Sequence, residues 1–150
     1  MGLYAYSEFT SDQGVTYKIN VYDSTYSGAT TEFSCGADGF VLTYQGIGDE
    51  RYQPIKSSSI TFEMNVPDTS STLYTLITNL QGGAQGRFKI KIERSEDLGI
   101  NYYDFWHGVL IPDIAIFEDV PFPSFYKFTA TDGLSLMKDI AFDTDVYQSA

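Results

Sequence analysis

Apolar residues alternate with polar ones along most of this chain, at the spacing of two expected of strands with one face on a core. Tyr17, Ile19 and Val21 share one face of a segment running to Asp23. Ile60, Phe62, Met64 and Val66 alternate with Thr61, Glu63 and Asn65. Phe88, Ile90 and Ile92 alternate with Lys89, Lys91 and Glu93 in the most regular strand of the chain. Tyr102 to Ile111 forms another strand, closed by Pro112, and Tyr126, Phe128 and Ala130 alternate with Lys127, Thr129 and Thr131. Thr31 to Cys35 and Phe40 to Gln45 flank Gly36-Ala-Asp-Gly39, which reads as a four-residue hairpin connection. Residues 1–14 read as an arm or first edge strand, Gly46 to Glu50 as a loop and Arg51 to Ser59 as a loose connector.

Two segments change period. Leu73, Leu76, Ile77 and Leu80 recur at helical spacing, with capping candidates in Asp68-Thr-Ser-Ser71 before them and Gly82-Gly83 after. Leu134, Met137 and Ile140 follow Thr131 and Asp132, either of which can accept a helix N-terminal N–H. The expected fold is mainly β: an antiparallel β-barrel or sandwich of about seven strands with two short helices, spanning residues 1–150 as one domain.

Composition narrows the function more than the fold. The 12 Tyr and 11 Phe favour pleated, half-buried surfaces and argue against disorder. A net charge of −11 repels phosphate backbones and anionic lipid, so neither sequence-specific nucleic-acid binding nor membrane association is expected. Cys35 has no second cysteine to pair with and reads as a small packed thiol. No basic-plus-apolar leader opens the chain.

Candidate chemistry is thin. His107 sits between Trp106 and Gly108, with Asp104 and Asp113 as neighbouring carboxylates, but no serine elbow accompanies it. The acidic pairs Asp49-Glu50, Glu96-Asp97 and Glu118-Asp119 fall in turns, where acids are solvated. One His and one Cys cannot complete a four-ligand zinc site, and Asp143 with Asp145 lacks the rest of a calcium loop. The glycines of Gly46 to Arg51 and Gly82 to Gly86 read as turns rather than phosphate cradles. Neither catalysis nor a cofactor is expected. The aromatic runs Tyr102 to Trp106 and Phe122 to Tyr126 supply candidate contact residues for a partner: Tyr102, Trp106, Phe122 and Phe125.

Trp106-His-Gly108 with the strand to Asp113, the turn with Pro121 and Pro123, and Ala130-Thr-Asp132-Gly-Leu134 with Leu136 to Ile140 together resemble the tail-tip and baseplate-hub proteins of bacteriophages. In that pattern Trp106, Gly108, Asp132, Gly133 and Leu134 are the structural motif: Asp132 caps, Gly133 allows a tight turn, Leu134 anchors the helix. The resemblance covers about 35 residues. It implies a virion structural protein, made in the host cytoplasm, assembling without catalysis as a homo-oligomer (a trimer favoured) with other tail proteins. Family members are usually longer, so the chain reads as an N-terminal part or a reduced relative. The alternative is a carbohydrate-binding β-module that stacks sugars on Trp106 and exposed tyrosines.

Overall fold

A computed structural model of the chain describes residues 1–45, 57–84, 86–112 and 121–134. Eight strands and one helix follow in the order β1 (Gly2–Thr10), β2 (Thr16–Asp23), β3 (Thr31–Glu32), β4 (Cys35–Gln45), β5 (Ser57–Val66), α1 (Thr72–Gln81), β6 (Phe88–Ser95), β7 (Tyr103–Leu110) and β8 (Ser124–Thr131). They form one sheet in the order β3-β1-β2-β6-β7-β8-β5-β4. The pairs are antiparallel except β1 with β3, so the sheet is mixed.

The mainly-β expectation holds, but the sheet is not a closed barrel and has eight strands rather than seven. It behaves as two halves. β7 and β8 pair only at Val109↔Thr131 and Leu110↔Ala130, so the five strands before this seam and the three after it can face one another. Segment 33–34 touches both halves: the Phe33 N–H donates to Tyr6 O, and Ser34 O accepts from the Asn65 N–H, each at 2.9 Å. Phe9 and Tyr17 from one half meet Phe40 from the other, with ring centroids 6.0 and 5.3 Å apart.

The alternation seen in the sequence becomes this core. Ile19, Val21, Ile90 and Ile92 from the first half and Ile60, Phe62, Met64 and Phe128 from the second are buried. Phe62 stacks on Phe128 at 5.4 Å. In β1 a bulge breaks the alternation, because an extra residue places two successive side chains on one face. The register shift between Leu3 and Ala5 lets Tyr4 and Ala5 both be buried.

Gly36 to Gly39 is not a hairpin. Cys35 pairs with Met64 and Phe40 with Phe62, so both flanks run antiparallel to β5 in a single interrupted strand. The excess residues form a bulge, and Gly39 takes φ +62° where a Cβ would lie 2.5 Å from the Phe9 ring. Residues 2–10 are no free arm, since β1 pairs with β2 along its length; it lies next to the edge, covered by β3 only at Ala5 and Tyr6.

Helix α1 forms as expected. The Ser71 side chain accepts from Leu73 N–H at 3.2 Å, and the Gly82 and Gly83 N–H groups close the last turn onto Thr78 O and Leu80 O. Leu73, Leu76, Ile77 and Leu80 are all buried, each worth about 2 kcal/mol of removed apolar surface. Tyr4 O–H donates to Thr72 O at 2.9 Å and ties the helix entry to β1. The second expected helix begins at Gly133 and Leu134, and its remainder lies outside the described residues. So do the loop expected over residues 46–50 and the connector expected over 51–59 as far as residue 56, whereas Ser57 to Ser59 are not connector but the start of β5.

Candidate functional site

The resembling residues converge at the β7–β8 seam, on a partner that their spacing does not show. Trp106 Nε1–H donates to Ser58 Oγ at 2.9 Å. Ser58 Oγ–H donates to Asp132 Oδ2 at 2.7 Å, and the Ser58 N–H donates to the same oxygen at 2.6 Å. The Asp132 N–H completes the ring to Ser58 O at 3.1 Å. One carboxylate therefore fastens the end of β8 to the start of β5, and the hydroxyl between them satisfies a buried indole. Gly108 is needed for that indole: a Cβ there would lie 2.1 Å from Trp106 and 2.5 Å from Thr131 O.

Two motif roles change. Gly133 does not occupy the left-handed region, and an added Cβ would meet nothing within 4 Å, so no tight turn depends on it. Leu134 is 43% exposed and does not anchor a helix in the core. Asp132 fastens Ser58; the helix it was expected to cap lies largely outside the described residues.

The candidate contact aromatics separate. Trp106 is only 7% exposed and belongs to the core, so it is withdrawn both as a partner contact and as a sugar platform. The β6–β7 register shifts between Ile92 and Glu93, and Phe105 is left without a cross-strand partner. The Phe105 ring therefore leans inward with Trp106, against Tyr17 at 5.7 Å and Phe40 at 6.1 Å. Tyr102 is half-buried beneath the Lys18 ammonium; burial, then the Glu8 carboxylate, pushes its phenol up to about 12. Phe122 is half-buried with its ring 5.9 Å from Tyr74, whereas Phe125 is 57% exposed.

The surface carries other apolar groups that sequence reasoning passed over. Val41 and Tyr44 are exposed on β4, an outer strand of the sheet. Leu98 and Ile100 are 76% and 78% exposed at the β6–β7 turn, with exposed Tyr103 beside them. The signal was present in Ser95-Glu-Asp-Leu-Gly-Ile-Asn101: two aliphatic residues in a turn that glycine and acids would ordinarily keep polar.

Titratable groups among the described residues are engaged in local ion pairs and turns. His107 Nε2 lies 3.3 Å from Asp104 Oδ2, both well exposed, while Asp104 Oδ1 pairs with Lys91 Nζ at 2.6 Å. Lys91 also meets Glu93 at 2.7 Å, and these two carboxylates raise its pKa. Glu96 pairs with Arg94, and Asp97 is used inside its own turn by Ser95 and Asn101. No group of three His, Cys, Asp or Glu among the described residues could hold a metal ion. Asp49, Glu50, Asp113, Glu118, Asp119, Asp143 and Asp145 lie outside the described residues. Burial raises the pKa of the half-buried Cys35 thiol, and a contact with Ser7 partly offsets this. No helix among the described residues is long and apolar enough to cross a membrane.

No protein-family model matches the chain, nor does any curated protein or any solved structure.

Proposed function

We propose that the chain is a structural element of a bacteriophage tail tip or baseplate hub, built to associate with copies of itself and with neighbouring tail proteins, without catalysis. The reading rests on the resemblance of the Trp106–Gly108 and Ala130–Leu134 segments. The observation that carries it in the fold is the outer strand β4. From Phe40 to Gln45 this strand contains neither a charge nor a proline, and Val41 and Tyr44 are exposed. Among the described residues it pairs only with β5. Proteins that must stay monomeric commonly blunt such an edge with lysine, proline or a covering element. The bulge at residues 36–39 interrupts this edge, but the uncharged Phe40–Gln45 stretch beyond it suits strand addition from a neighbouring tail protein, where backbone hydrogen bonds supply the affinity.

The alternative, a carbohydrate-binding module, has lost Trp106 as its platform and keeps exposed Tyr44 and Tyr103. The two readings separate experimentally. Peptides of this chain in gradient-purified tailed particles produced from its own genome would support the tail reading. Their absence from the particles, with retention of the free chain on a glycan array, would replace it.

A further inference from the structure

The β6–β7 hairpin carries two complementary features at opposite ends. At its tip, Leu98 and Ile100 stand in solvent on a turn held from within. Ser95 Oγ accepts from the Gly99 N–H at 2.9 Å, and Asp97 accepts from the backbone and side-chain N–H groups of Asn101 at 2.8 and 2.6 Å. Leu98 takes φ +58°, a region that disfavours a branched side chain. The turn thus holds a leucine in an unfavourable conformation and an unfavourable solvent at once, as its 76% exposure shows. Strain of this kind gathers where a surface is kept for binding. Glu96 is paired with Arg94, and Asp97 leaves the tip with a net negative charge.

At the other end of the hairpin, Met1, Tyr22 and Gly108 line a shallow depression of about 320 Å³, together with Lys89, Lys91 and His107, over the buried Ile90. The whole chain has only 9 Lys and Arg against 20 Asp and Glu, so two lysines and its single histidine around one apolar hollow make an unusual patch. Lys91 is neutralised by Glu93 and Asp104, but Lys89 has no ion-pair partner among the described residues. Lys89 lies about 20 Å along β6 from Ser95, where the tip begins.

We propose that the β6–β7 tip of one copy seats in the Lys89–His107 depression of a second copy. Leu98 and Ile100 enter the hollow, and Glu96 and Asp97 face Lys89. Charge complementarity selects this occupant: two tips would repel, and an anionic lipid surface would repel the tip as well. Because the two patches differ and lie at opposite ends of a hairpin, the contact is head-to-tail. Such a contact propagates into a ring when the rotation closes. This deepens the reading of the chain as a self-assembling tail element and rests on it.

Sedimentation velocity from 1 to 100 µM, with circular dichroism to check folding, tests the contact on three proteins. The wild type should assemble. The tip variant Leu98→Asp/Ile100→Asp and the depression variant Lys89→Glu/His107→Glu should each remain monomeric, with self-association weakened at least about tenfold. Mixed in equal amounts they should form a dimer and nothing larger, since one intact tip and one intact depression remain. Assembly of either variant alone, or no dimer on mixing, overturns the contact while the self-assembly reading stands. A wild type that stays monomeric throughout overturns both.

Discussion

The indole N–H of Trp106 rests on the hydroxyl of Ser58 at 2.9 Å, joining strands on opposite sides of the seam between the two halves of the sheet. Ser58 passes the interaction on to Asp132 at 2.7 Å. Replacing Ser58 by alanine strands a buried donor and removes one of the donors to Asp132. The expected cost is about 1–3 kcal/mol, read as a lowered urea midpoint with unchanged slope. A variant as stable as the wild type would mean that the node does not hold the seam.

Gly108 and Gly133 belong to the same resembling pattern but should respond oppositely to alanine. At Gly108 a Cβ collides with the Trp106 ring and with Thr131 O, which is backbone and cannot swing away. Gly108→Ala should cost at least about 3 kcal/mol, at the upper end of overpacking effects. Gly133→Ala meets open space and should be neutral or stabilising by roughly 0.5 kcal/mol. Thermal unfolding of the two variants side by side decides it, and equal losses would contradict the placement of Gly108 beneath the indole.

Asp23 should make folding sensitive to acid. Arg87 grips it with two bonds, Nε to Oδ1 at 2.9 Å and a second guanidinium nitrogen to Oδ2 at 2.7 Å. That grip, aided by Thr25, holds the Asp23 pKa near about 2. A carboxylate depressed in the folded state stabilises fully above its unfolded pKa and loses that contribution as pH falls through the folded value. Between about pH 4 and pH 2 the wild type should therefore lose about 2 kcal/mol through this residue. Asp23→Asn should be less stable at neutral pH and show a correspondingly shallower decline, measured by urea denaturation at stepped pH. An unchanged slope would assign the acid sensitivity to other carboxylates.

Leu98 offers a trade between stability and association. Asparagine tolerates positive φ better than leucine, so Leu98→Asn should relieve strain and raise stability by up to about 1 kcal/mol. The same change should weaken self-association. Thermal unfolding and sedimentation of one sample report both, and a variant that loses stability would mean the turn is not strained.

Local patterns were legible in the sequence and long-range ones were not. Helix α1 was visible because its stripe, its Ser71 cap and its Gly82 stop agree. β6 was visible because Phe88, Ile90 and Ile92 alternate with the lysines between them. The β4 bulge read as a hairpin because glycines that reverse a chain and glycines that kink a strand look alike; only the shared partner β5 distinguishes them. Trp106 looked available to a partner because strict alternation ignores the bulge at Phe105. Ser58 was invisible as a site residue, since it stands 48 positions from Trp106 and 74 from Asp132. Leu98 and Ile100 were legible but were overlooked beside the acids of their turn.

The proposed role of this acidic β-domain depends on its association with itself. Light scattering of the wild-type chain across a hundredfold concentration range tests it most directly. The expected result is a mass rising to a defined plateau, at three chains for the favoured trimer. A mass of one chain at every concentration would contradict the claim.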